Sequence, residues 1–487
     1  MSFNSVTFLV FLAVMLLLFW WQSNRRGTRS VILLLGSYLF YGAYESWYLG
    51  LILGSTFLDY FCGARIFAAR EAGQLGRAKK YLWLSLFGNI GALVFFKITD
   101  WVILSLQTWA DAAGMQIELW DRSRSLLPPA LLDSDTLKIV VPVGISFYTF
   151  QTVSYTIDIY RGVLKPARNL RDFALFVAFF PQLVAGPIVR AVEFLPQLEL
   201  RPRMDRERLH DGIWRISTGL LKKVALADVI GQGLVDPVYA APEEYAIFVK
   251  VLALYAFSFQ MYLDFSGYSD VAIGVARLLG FDLPENFRRP YGALSVRDFW
   301  RKWHMTLSTW VRDYVFFPLG GSRGTEVKVA RNLFVTMIVL GIWHGASILW
   351  VGYGVFHSIV MVGERLMDRV FKGEPWAKTP ARKLLLWFWT FSFVTFTTIF
   401  ARARSLDQMI DVLVSYGEQG LDKIDPWALA AFGFAAASHF WPWKITKACR
   451  KAVLAMPTWA AGILMGVTAG VVAVLVVGDT PYIYFAF

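Results

Sequence analysis

Apolar residues recur along most of this chain in runs that are long enough to form membrane-crossing helices. A helix needs about 20 predominantly apolar residues to cross the hydrocarbon core of a bilayer. No internal repeat and no Pro- or Ser-rich linker divides the pattern, which predicts an all-α polytopic membrane protein with a single bundle of about eleven transmembrane helices. The predicted spans lie at residues 6–21, 30–43, 47–62, 81–97, 139–160, 213–231, 246–265, 332–350, 384–400, 427–443 and 459–478.

The same pattern predicts one domain over residues 1–487. Its N-terminal helices reach about residue 135, a core follows from about 136 to 365, and C-terminal helices extend from about 366 to 487. The first apolar run, Val6–Trp21, has no basic residues before it and ends in tryptophans where a cleavage site needs small residues. We therefore expect a retained first span rather than a cleaved signal peptide.

One apolar stretch, Phe173–Val189, does not fit a regular span because Pro181, Gly186 and Pro187 interrupt it. Proline removes a backbone donor, and irregular backbone at membrane depth is tolerated only where protein or water satisfies it. The stretch therefore predicts a re-entrant segment that returns to the side from which it came.

Charged residues alternate between the loops in a way that predicts their sidedness, because loops rich in Lys and Arg face the cytoplasm. An N-terminus on the periplasmic side explains the alternation as far as residue 245. The basic loops are then cytoplasmic: Arg25, Arg26 and Arg29; Arg65, Arg70, Arg77, Lys79 and Lys80; Arg161, Lys165, Arg168 and Arg171; and residues 190–215 with Lys222 and Lys223. The loops with acidic residues are periplasmic: Glu45; Asp111, Glu118, Asp121, Asp133 and Asp135; and Asp236, Glu243 and Glu244.

Composition excludes a soluble globular domain. Hydrophobic residues make up 56% of the 487 residues and charged residues 17%, with 48 basic and 36 acidic residues giving a net charge of +12. Because the basic residues lie in short loops, their excess fits contact with anionic membrane lipid, and no nucleic-acid partner is expected. The two cysteines, Cys62 and Cys449, have no metal-ligand or disulfide spacing.

Ionisable residues gather in the stretch Arg288–Gly321, where arginines alternate with tryptophans. Ser295 and Asp298 have the spacing of a capping box, which predicts a helix that carries His304 about two turns in, with Arg297 and Arg301 on the same face. One interpretation is an amphipathic helix at the membrane surface. The other is a cytoplasm-facing pocket for a phosphate-rich ligand, because arginine matches phosphate geometry.

A second polar insertion is His344, in the apolar stretch Phe334–Val360. The pattern predicts that His344 lies about a dozen residues into a helix and so near the middle of the bilayer. Gly341 and Gly345 would leave space beside its ring for backbone or ligand. A buried, neutral imidazole can act as a general base, or it can simply hydrogen-bond between helices.

Other polar residues favour structural interpretations. Asp264 and Asp270 interrupt an apolar run, and we expect them to pair with the arginines of residues 288–301, although a metal site or a proton relay is an alternative. His210, in a basic cytoplasmic loop, and His439, near the end of a span, are expected to be structural. His357 is a weak candidate for the site.

Six motifs give the chain its resemblance to a known family. It resembles the membrane-bound O-acyltransferases, in the bacterial branch of the alginate O-acetyltransferase membrane subunit and the teichoic acid D-alanyl transfer protein. The C-terminal PYIYFAF is also similar to that branch. The motifs are, in order, Pro142–Gln151, Phe180–Val189, Gln260–Asp270, Glu285–Tyr291, Asp298–Gly321 and Gly341–Gly345.

The resemblance implies a bundle of about eleven helices plus re-entrant segments, with cytoplasmic and extracytoplasmic funnels that meet near His344. It implies that His344 is the catalytic histidine and His304 its companion. Whether His344 acts as general base or carries the acyl group stays open, and we favour the base. For the donor phosphates and adenine, the basic and aromatic stretch offers Arg297, Arg301, Lys302, Trp303 and Arg312.

The implied reaction moves an acetyl group from cytoplasmic acetyl-CoA, with no permanently bound cofactor or metal, across the bacterial inner membrane. The expected acceptor is a periplasmic SGNH-type partner or a polysaccharide such as an alginate-like exopolysaccharide, in association with a polysaccharide synthase complex. Alternatives are acyl transfer to peptidoglycan, cellulose or teichoic acid, a transporter or flippase, and a non-catalytic scaffold. The sequence does not choose among the acceptors.

Overall fold

The computed structural model describes residues 3–115, 117–133, 135–371 and 379–475. Within these ranges the chain is almost wholly helical, and the two β-bridges are isolated. The α-helices are α1 Val6–Trp21, α2 Arg26–Gly42, α3 Tyr48–Glu71, α4 Leu75–Ala112, α5 Leu119–Ser125, α6 Ile145–Arg161, α7 Leu170–Ala178, α8 Phe180–Leu183, α9 Ala191–Glu199, α10 Arg206–Leu221, α11 Asp236–Ala240, α12 Ile247–Leu278, α13 Val296–Trp300, α14 Met305–Val311, α15 Glu326–His344, α16 Ile348–Val370, α17 Pro380–Thr397, α18 Ile399–Arg402, α19 Leu406–Val414, α20 Pro426–Phe440, α21 Trp443–Ala455 and α22 Thr458–Leu475. Short π-helical segments lie at Lys222–Asp228, Gly231–Val235 and Arg312–Phe316, and 3₁₀ turns at Pro129–Leu131, Pro290–Gly292 and Leu421–Lys423.

The lengths and compositions of the helices confirm a multi-pass membrane protein. Six segments in the described ranges are long and apolar enough to cross a bilayer: Tyr48–Glu71, Leu75–Ala112, Ile247–Leu278, Glu326–His344, Pro380–Arg402 and Thr458–Leu475. Helix α1 is apolar but shorter. The structure thus supports the all-α membrane class and does not confirm the count of eleven spans.

Among the described residues, the hydropathy pattern locates all but one of the helices that have at least 16 residues. Helix α16 was not predicted, because the predicted span at 332–350 runs through a break at residues 345–347 that separates α15 from α16. Apolar residues continue on both sides of the break, so hydropathy alone does not register the turn. The end of the last predicted span, residues 476–478, and the motif PYIYFAF lie outside the described residues.

Contacts between loops agree with the predicted cytoplasmic group. Arg26 of the first basic loop pairs with Asp172 at 2.8 Å, which joins it to the basic loop that follows α6. Arg29 of the first basic loop also donates to the backbone oxygen of Leu198 at 3.2 Å, in the basic stretch of residues 190–215. Three of the loops that the charge pattern groups together are therefore in contact.

Two of the loops that the charge pattern assigns to the periplasm are each closed by contacts of their own. Arg124 pairs with Asp100 at 2.6 Å, and Arg402 pairs with Asp236 at 2.7 Å. The backbone amide of Gln419 also donates to the carbonyl of Glu244 at 2.9 Å. The first contact lies within one loop, and the others join the second loop to residues for which the pattern predicts no side, so the alternation of crossings and its direction relative to the membrane stay predictions.

The stretch with the prolines forms two short, buried helices, α7 and α8, and then extended backbone. Gln182 bridges the break by donating its amide to the backbone oxygen of Phe176 at 2.8 Å. A side chain on Gly186 would meet the Cα of Gln182 at 2.5 Å, so only glycine fits there. A broken, fully packed segment of this kind is what the re-entrant interpretation expects.

Helices α10 and α12 pack closely and bury ionic pairs between them. The carboxylate of Asp264 lies 2.6 Å from the ammonium group of Lys223, and both side chains are 1% exposed. Asp270 pairs with Lys222 at 2.6 Å. The predicted pairing of these aspartates with the arginines of 288–301 is therefore wrong, because the π-helical turn at 222–228 presents lysines that are closer. Among the described residues no group of His, Cys, Asp and Glu could hold a metal ion.

Helices α15 and α16 form an antiparallel hairpin that supports the site described below. At its open end Glu326 accepts from Arg365 at 2.8 Å and from Arg369 at 2.5 Å. At its closed end Ser347 caps α16 by accepting from the amide of Trp350 at 3.4 Å. Ion pairs and cap together fix the register of the two helices.

Glycines let the hairpin helices approach closely, and this generates a first prediction. A Cβ on Gly341 would lie 2.1 Å from the carbonyl oxygen of Trp350, and one on Gly354 would lie 2.5 Å from that of Met337. We expect Gly341→Ala to destabilise the protein by about 1–3 kcal/mol, as overpacking does. Thermal unfolding in detergent measures this. Gly363→Ala on α16 is the matched control, since a Cβ there meets nothing within 4 Å; equal melting temperatures for the two variants would contradict the prediction.

Candidate active site

His344 lies at the tip of the hairpin. It is the last residue of α15, after which Gly345 is extended (φ −163°) and the chain turns into α16. The prediction that His344 lies a dozen residues into a continuing helix is therefore wrong. Its ring stacks on Trp350 with centroids 4.9 Å apart, and the ring of Trp343 lies edge-on at 4.8 Å.

The backbone around His344 is held from a third helix. Lys97 of α4 donates from its ammonium group to the carbonyl oxygens of Trp343 at 2.8 Å and His344 at 3.1 Å. The ammonium group also lies 5.8 Å from the centre of the Trp343 ring. Three helices therefore converge at this tip.

His304 does not lie within a helix, which corrects a second prediction. The capping contact at Ser295 is present at 3.0 Å, but α13 ends at Trp300 and His304 adopts a left-handed backbone conformation (φ 41°) before α14. The chain bends because the amide of Met305 donates to the carbonyl of Asn286 at 2.9 Å. This pairing, between residues distant in sequence, overrides the local helical signal.

Hydrogen bonding fixes which nitrogen of the buried His304 ring carries a proton. Its Nδ1 lies 3.0 Å from the side-chain oxygen of Asn286, which also accepts from the Thr306 hydroxyl at 2.9 Å. The amide nitrogen of Asn286 in turn donates to Ser269 at 3.1 Å. Because an amide oxygen only accepts, Nδ1 of His304 must donate, and a neutral ring then presents Nε2 as an acceptor.

Trp343 lies between the two histidines. Its ring centroid is 4.8 Å from that of His344 and 6.4 Å from that of His304. Phe147 of α6 packs 6.4 Å from His304 and 6.3 Å from Trp343. The structure therefore brings the two predicted catalytic residues beside one aromatic cluster, in which His304 is buried and His344 half-buried.

Four rings, which we call the aromatic line, connect this site to a cavity. They are Trp343, Phe150, Trp310 and Tyr314, with successive centroid distances of 5.2, 3.9 and 5.0 Å. Trp310 also donates its indole N–H to the backbone oxygen of Phe150 at 2.9 Å.

The cavity at the far end of the aromatic line has a volume of about 540 Å³. The guanidinium groups of Arg161 and Arg190 lie 5.2 and 5.1 Å from the centre of the Tyr314 ring. Although burial acts to raise it, the pKa of Asp313 is lowered by Arg312 and Arg190, so this carboxylate is charged at neutral pH. The lining residues are Asp158, Arg161, Val163, Arg190, Val192, Asp313, Tyr314, Phe317 and Pro318.

The five residues predicted for the donor are not gathered in one place. Arg297 is paired with two carboxylates of α16, Glu364 at 3.2 Å and Asp368. Trp303 is 6% exposed inside an aromatic cluster, with Phe287 at 5.1 Å.

The other three residues are nearer to solvent. Arg301 is exposed, and Lys302 pairs with Asp298 at 2.7 Å. Arg312 pairs at 2.7 Å with Asp313, and therefore borders the cavity.

The remaining histidines are buried outside this site. His357 lies 3.3 Å from the indole nitrogen of Trp300, which donates to it, and 3.1 Å from the hydroxyl of Thr397. His210 is buried within α10 and lies 3.3 Å from the carbonyl of Leu454. The prediction that it lies in a loop is therefore wrong.

Some residues of the site were not singled out from the sequence. A lone lysine in the apolar run around Lys97 was a usable signal, because ionisable residues at membrane depth are expensive. Asn286 lies within the motif Glu285–Tyr291 but was given no role of its own. Arg161 and Arg190 were used only to predict on which side of the membrane their loops lie. No sequence pattern brings Arg161 next to Arg190, since their proximity depends on how α6 packs.

The fold and site define a multi-pass α-helical membrane protein with two histidines, the buried His304 and the half-buried His344, beside one aromatic cluster. A model of the membrane-bound O-acyltransferase family matches residues 163–401. Identity to curated members is 36% over 87% of this chain. The chain belongs to the membrane-bound O-acyltransferase family and is an O-acyltransferase.

Similar proteins differ in their acceptors. The chain is 36% identical to the probable alginate O-acetylase of Pseudomonas aeruginosa, over 87% of this chain and 77% of that protein. It is 32% identical to the peptidoglycan O-acetyltransferase of Helicobacter pylori, over 78% of this chain and 72% of that protein. It is 35% identical to the teichoic acid D-alanyltransferase of Streptococcus thermophilus, over 45% of this chain and 56% of that protein.

The contact between Asn286 and His304 generates a second prediction. Asn286→Ala removes the acceptor for Nδ1, so we expect the acyl-transfer rate to fall about fivefold, given that a net hydrogen bond contributes about 1 kcal/mol. Asn286→Asp keeps an acceptor and should retain more activity. Asn332→Ala is the control, because this buried amide of α15 donates to the Gly321 carbonyl at 3.0 Å. Equal rates for the Ala and Asp variants of Asn286 would contradict the assigned tautomer.

Proposed function

We propose that this protein takes an acetyl group from acetyl-CoA on the cytoplasmic side of the bacterial inner membrane. It passes the group to an acceptor on the periplasmic side. The observation that carries the proposal is the convergence of His344, His304 and Trp343 at the hairpin tip, joined by the aromatic line to a cavity that contains arginines. Acyl transfer needs a general base that is positioned near the bound thioester. Here a histidine would be that base, and the cavity would bind the anionic donor.

The cavity is the proposed site for the phosphates of the donor. Arg161 and Arg190 lie at its wall, and guanidinium groups match phosphate oxygens with paired hydrogen bonds. Arg161 is the last residue of α6, and the charge pattern assigns the loop that follows it to the cytoplasm. The stretch Arg297–Arg312 is the alternative donor site, with Arg312 common to both regions through its pair with Asp313.

In the proposed reaction His344 is the general base. It accepts the proton of an acceptor hydroxyl while the hydroxyl oxygen attacks the thioester carbonyl, and the carbon–sulfur bond breaks to release the thiolate of coenzyme A. The imidazolium of His344 then gives up that proton to the thiolate, so the acetyl group moves from sulfur to oxygen with no net oxidation. His304, as the companion residue with Nε2 as acceptor, would take the proton from His344 and pass it on where the thiolate is out of direct reach.

For the acceptor we favour an alginate-like exopolysaccharide. Support comes from the identity with the probable alginate O-acetylase over most of both chains. The acetyl group would reach the polymer directly or through a periplasmic SGNH-type transferase associated with a polysaccharide synthase complex. Peptidoglycan is the second candidate, because identity to the peptidoglycan O-acetyltransferase covers 78% of this chain. A transporter would instead move its substrate without breaking the thioester.

The third prediction concerns His344. Purified protein should transfer labelled acetyl from acetyl-CoA to an added acceptor, and His344→Ala should lower that rate by roughly 10² to 10⁴, the contribution of a positioned general base. In a deletion strain, the wild type and not His344→Ala should restore the O-acetyl content of a single envelope glycan. Which glycan responds identifies the acceptor.

His210→Ala is the matched control for the loss of a buried imidazole, because His210 lies within α10, away from the hairpin tip. It should retain the wild-type rate. Transfer by His344→Ala at the wild-type rate would exclude the proposed role of His344. Movement of an acyl donor across vesicles with its thioester intact would favour the transporter.

The fourth prediction separates the two candidate donor sites. Arg161→Gln should raise the KM for acetyl-CoA about tenfold with little change in kcat, since a charge-assisted hydrogen bond contributes about 1.5–3 kcal/mol. Arg297→Gln should change this KM less, because Arg297 is already paired with Glu364 at 3.2 Å. The reverse order of effects would move the donor phosphates to the Arg297–Arg312 stretch.

A further inference from the structure

Lys97 is the one residue of α4 that touches the backbone on which His344 lies, among the hydrogen bonds of the described residues. Its ammonium group approaches two consecutive carbonyl oxygens, those of Trp343 and His344, at 2.8 and 3.1 Å. The nitrogen of the ammonium group also lies 5.8 Å from the centre of the Trp343 ring. All three contacts are with the hairpin tip.

The end of α15 needs a hydrogen-bond donor from outside the helix. The last carbonyl groups of an α-helix have no partner within the helix, and in apolar surroundings they must find one elsewhere. The amide of Gly345 donates to Gly341 at 3.2 Å, and Lys97 supplies the donors for the two carbonyls nearest the end. A cation is also favoured there because the C-terminal end of a helix carries partial negative charge.

Helix α4 is a rigid support for this contact, because it is anchored on both sides of Lys97. Before Lys97, the amide of Asn89 donates to the buried carboxylate of Asp59 on α3 at 2.7 Å. After Lys97, Asp100 pairs with Arg124 at 2.6 Å. A displacement of the hairpin tip would therefore break the contacts of Lys97 rather than drag α4 along.

We propose that Lys97 is a positioning residue for acyl transfer, which holds the peptide groups of Trp343 and His344 so that the imidazole keeps its direction toward the reacting groups. The inference rests on the proposed function of His344. Lys97 itself touches backbone and not substrate. Its removal should therefore impair the chemical step and leave the affinity for the donor nearly unchanged.

Steady-state kinetics of acetyl transfer from acetyl-CoA provide the test. We expect Lys97→Met to lower kcat by about 10- to 100-fold, the effect of a displaced catalytic group, while the KM for acetyl-CoA changes by less than about threefold. Lys97→Arg keeps donors and a charge, and should recover most of the lost kcat. A residue that only stabilised the fold would lower the amount of folded protein and not kcat per folded molecule.

Lys250→Met is the matched control. Lys250 is also a buried lysine that donates to a backbone carbonyl, that of Ser415, but it lies on α12 at the opposite end of the bundle from the basic loops. It should keep the wild-type kcat. A wild-type kcat in Lys97→Met, or an equal loss in Lys250→Met, would overturn the proposal.

Hydrogen–deuterium exchange separates this inference from the proposed function, because it needs no donor. Exchange in the peptide that contains residues 343–350 should be faster in Lys97→Met than in the wild type and unchanged in Lys250→Met; unchanged exchange in both would overturn the proposal. If the wild type transfers no acetyl from acetyl-CoA, the proposed function fails while exchange still decides whether Lys97 holds the tip. Should Lys97→Met not fold, Lys97→Gln is judged by the same criteria.

Discussion

The rest of the site depends on one helix end, because α15 stops at the hairpin tip with carbonyl groups that its own turns cannot satisfy. Lys97 supplies donors to two of them, and the turn at residues 345–347 then lets α16 return alongside α15. Glycine at 341 permits the close return, since the carbonyl of Trp350 occupies the space of a side chain. The imidazole of His344 is consequently carried on a rigid tip rather than on a loop.

Buried charge elsewhere in the bundle follows the same requirement that polar groups within an apolar interior be paired. Lys223 and Asp264, each 1% exposed, neutralise each other between α10 and α12. Replacing only one partner of such a pair is strongly destabilising, because it leaves an uncompensated charge. These two helices therefore form a fixed core, against which the motif-bearing segments of residues 286–305 pack.

Sequence reasoning succeeded where a local signal decides the structure. The cap at Ser295 formed as its spacing predicted, and the grouping of loops by charge agrees with the pair between Arg26 and Asp172. It failed where distant residues decide. His304 leaves the helix because Asn286, 18 positions earlier, holds both its ring and the adjoining backbone. The resemblance to a known family selected His304 and His344, whereas their geometry required the packing of α6 and of the hairpin.

The aromatic line bears on which acyl groups can react. Phe150 and Trp310 stack at 3.9 Å with ring planes 8° apart, and Trp343 continues the packing up to the histidines. A filled interior of this density leaves little room beside the rings, so a bulky acyl chain would have to displace an aromatic side chain. A small acyl group meets less of this resistance. If the donor reaches the histidines along this line, the packing around Trp343 favours a small acyl group such as the proposed acetyl over a long chain, whatever the acceptor.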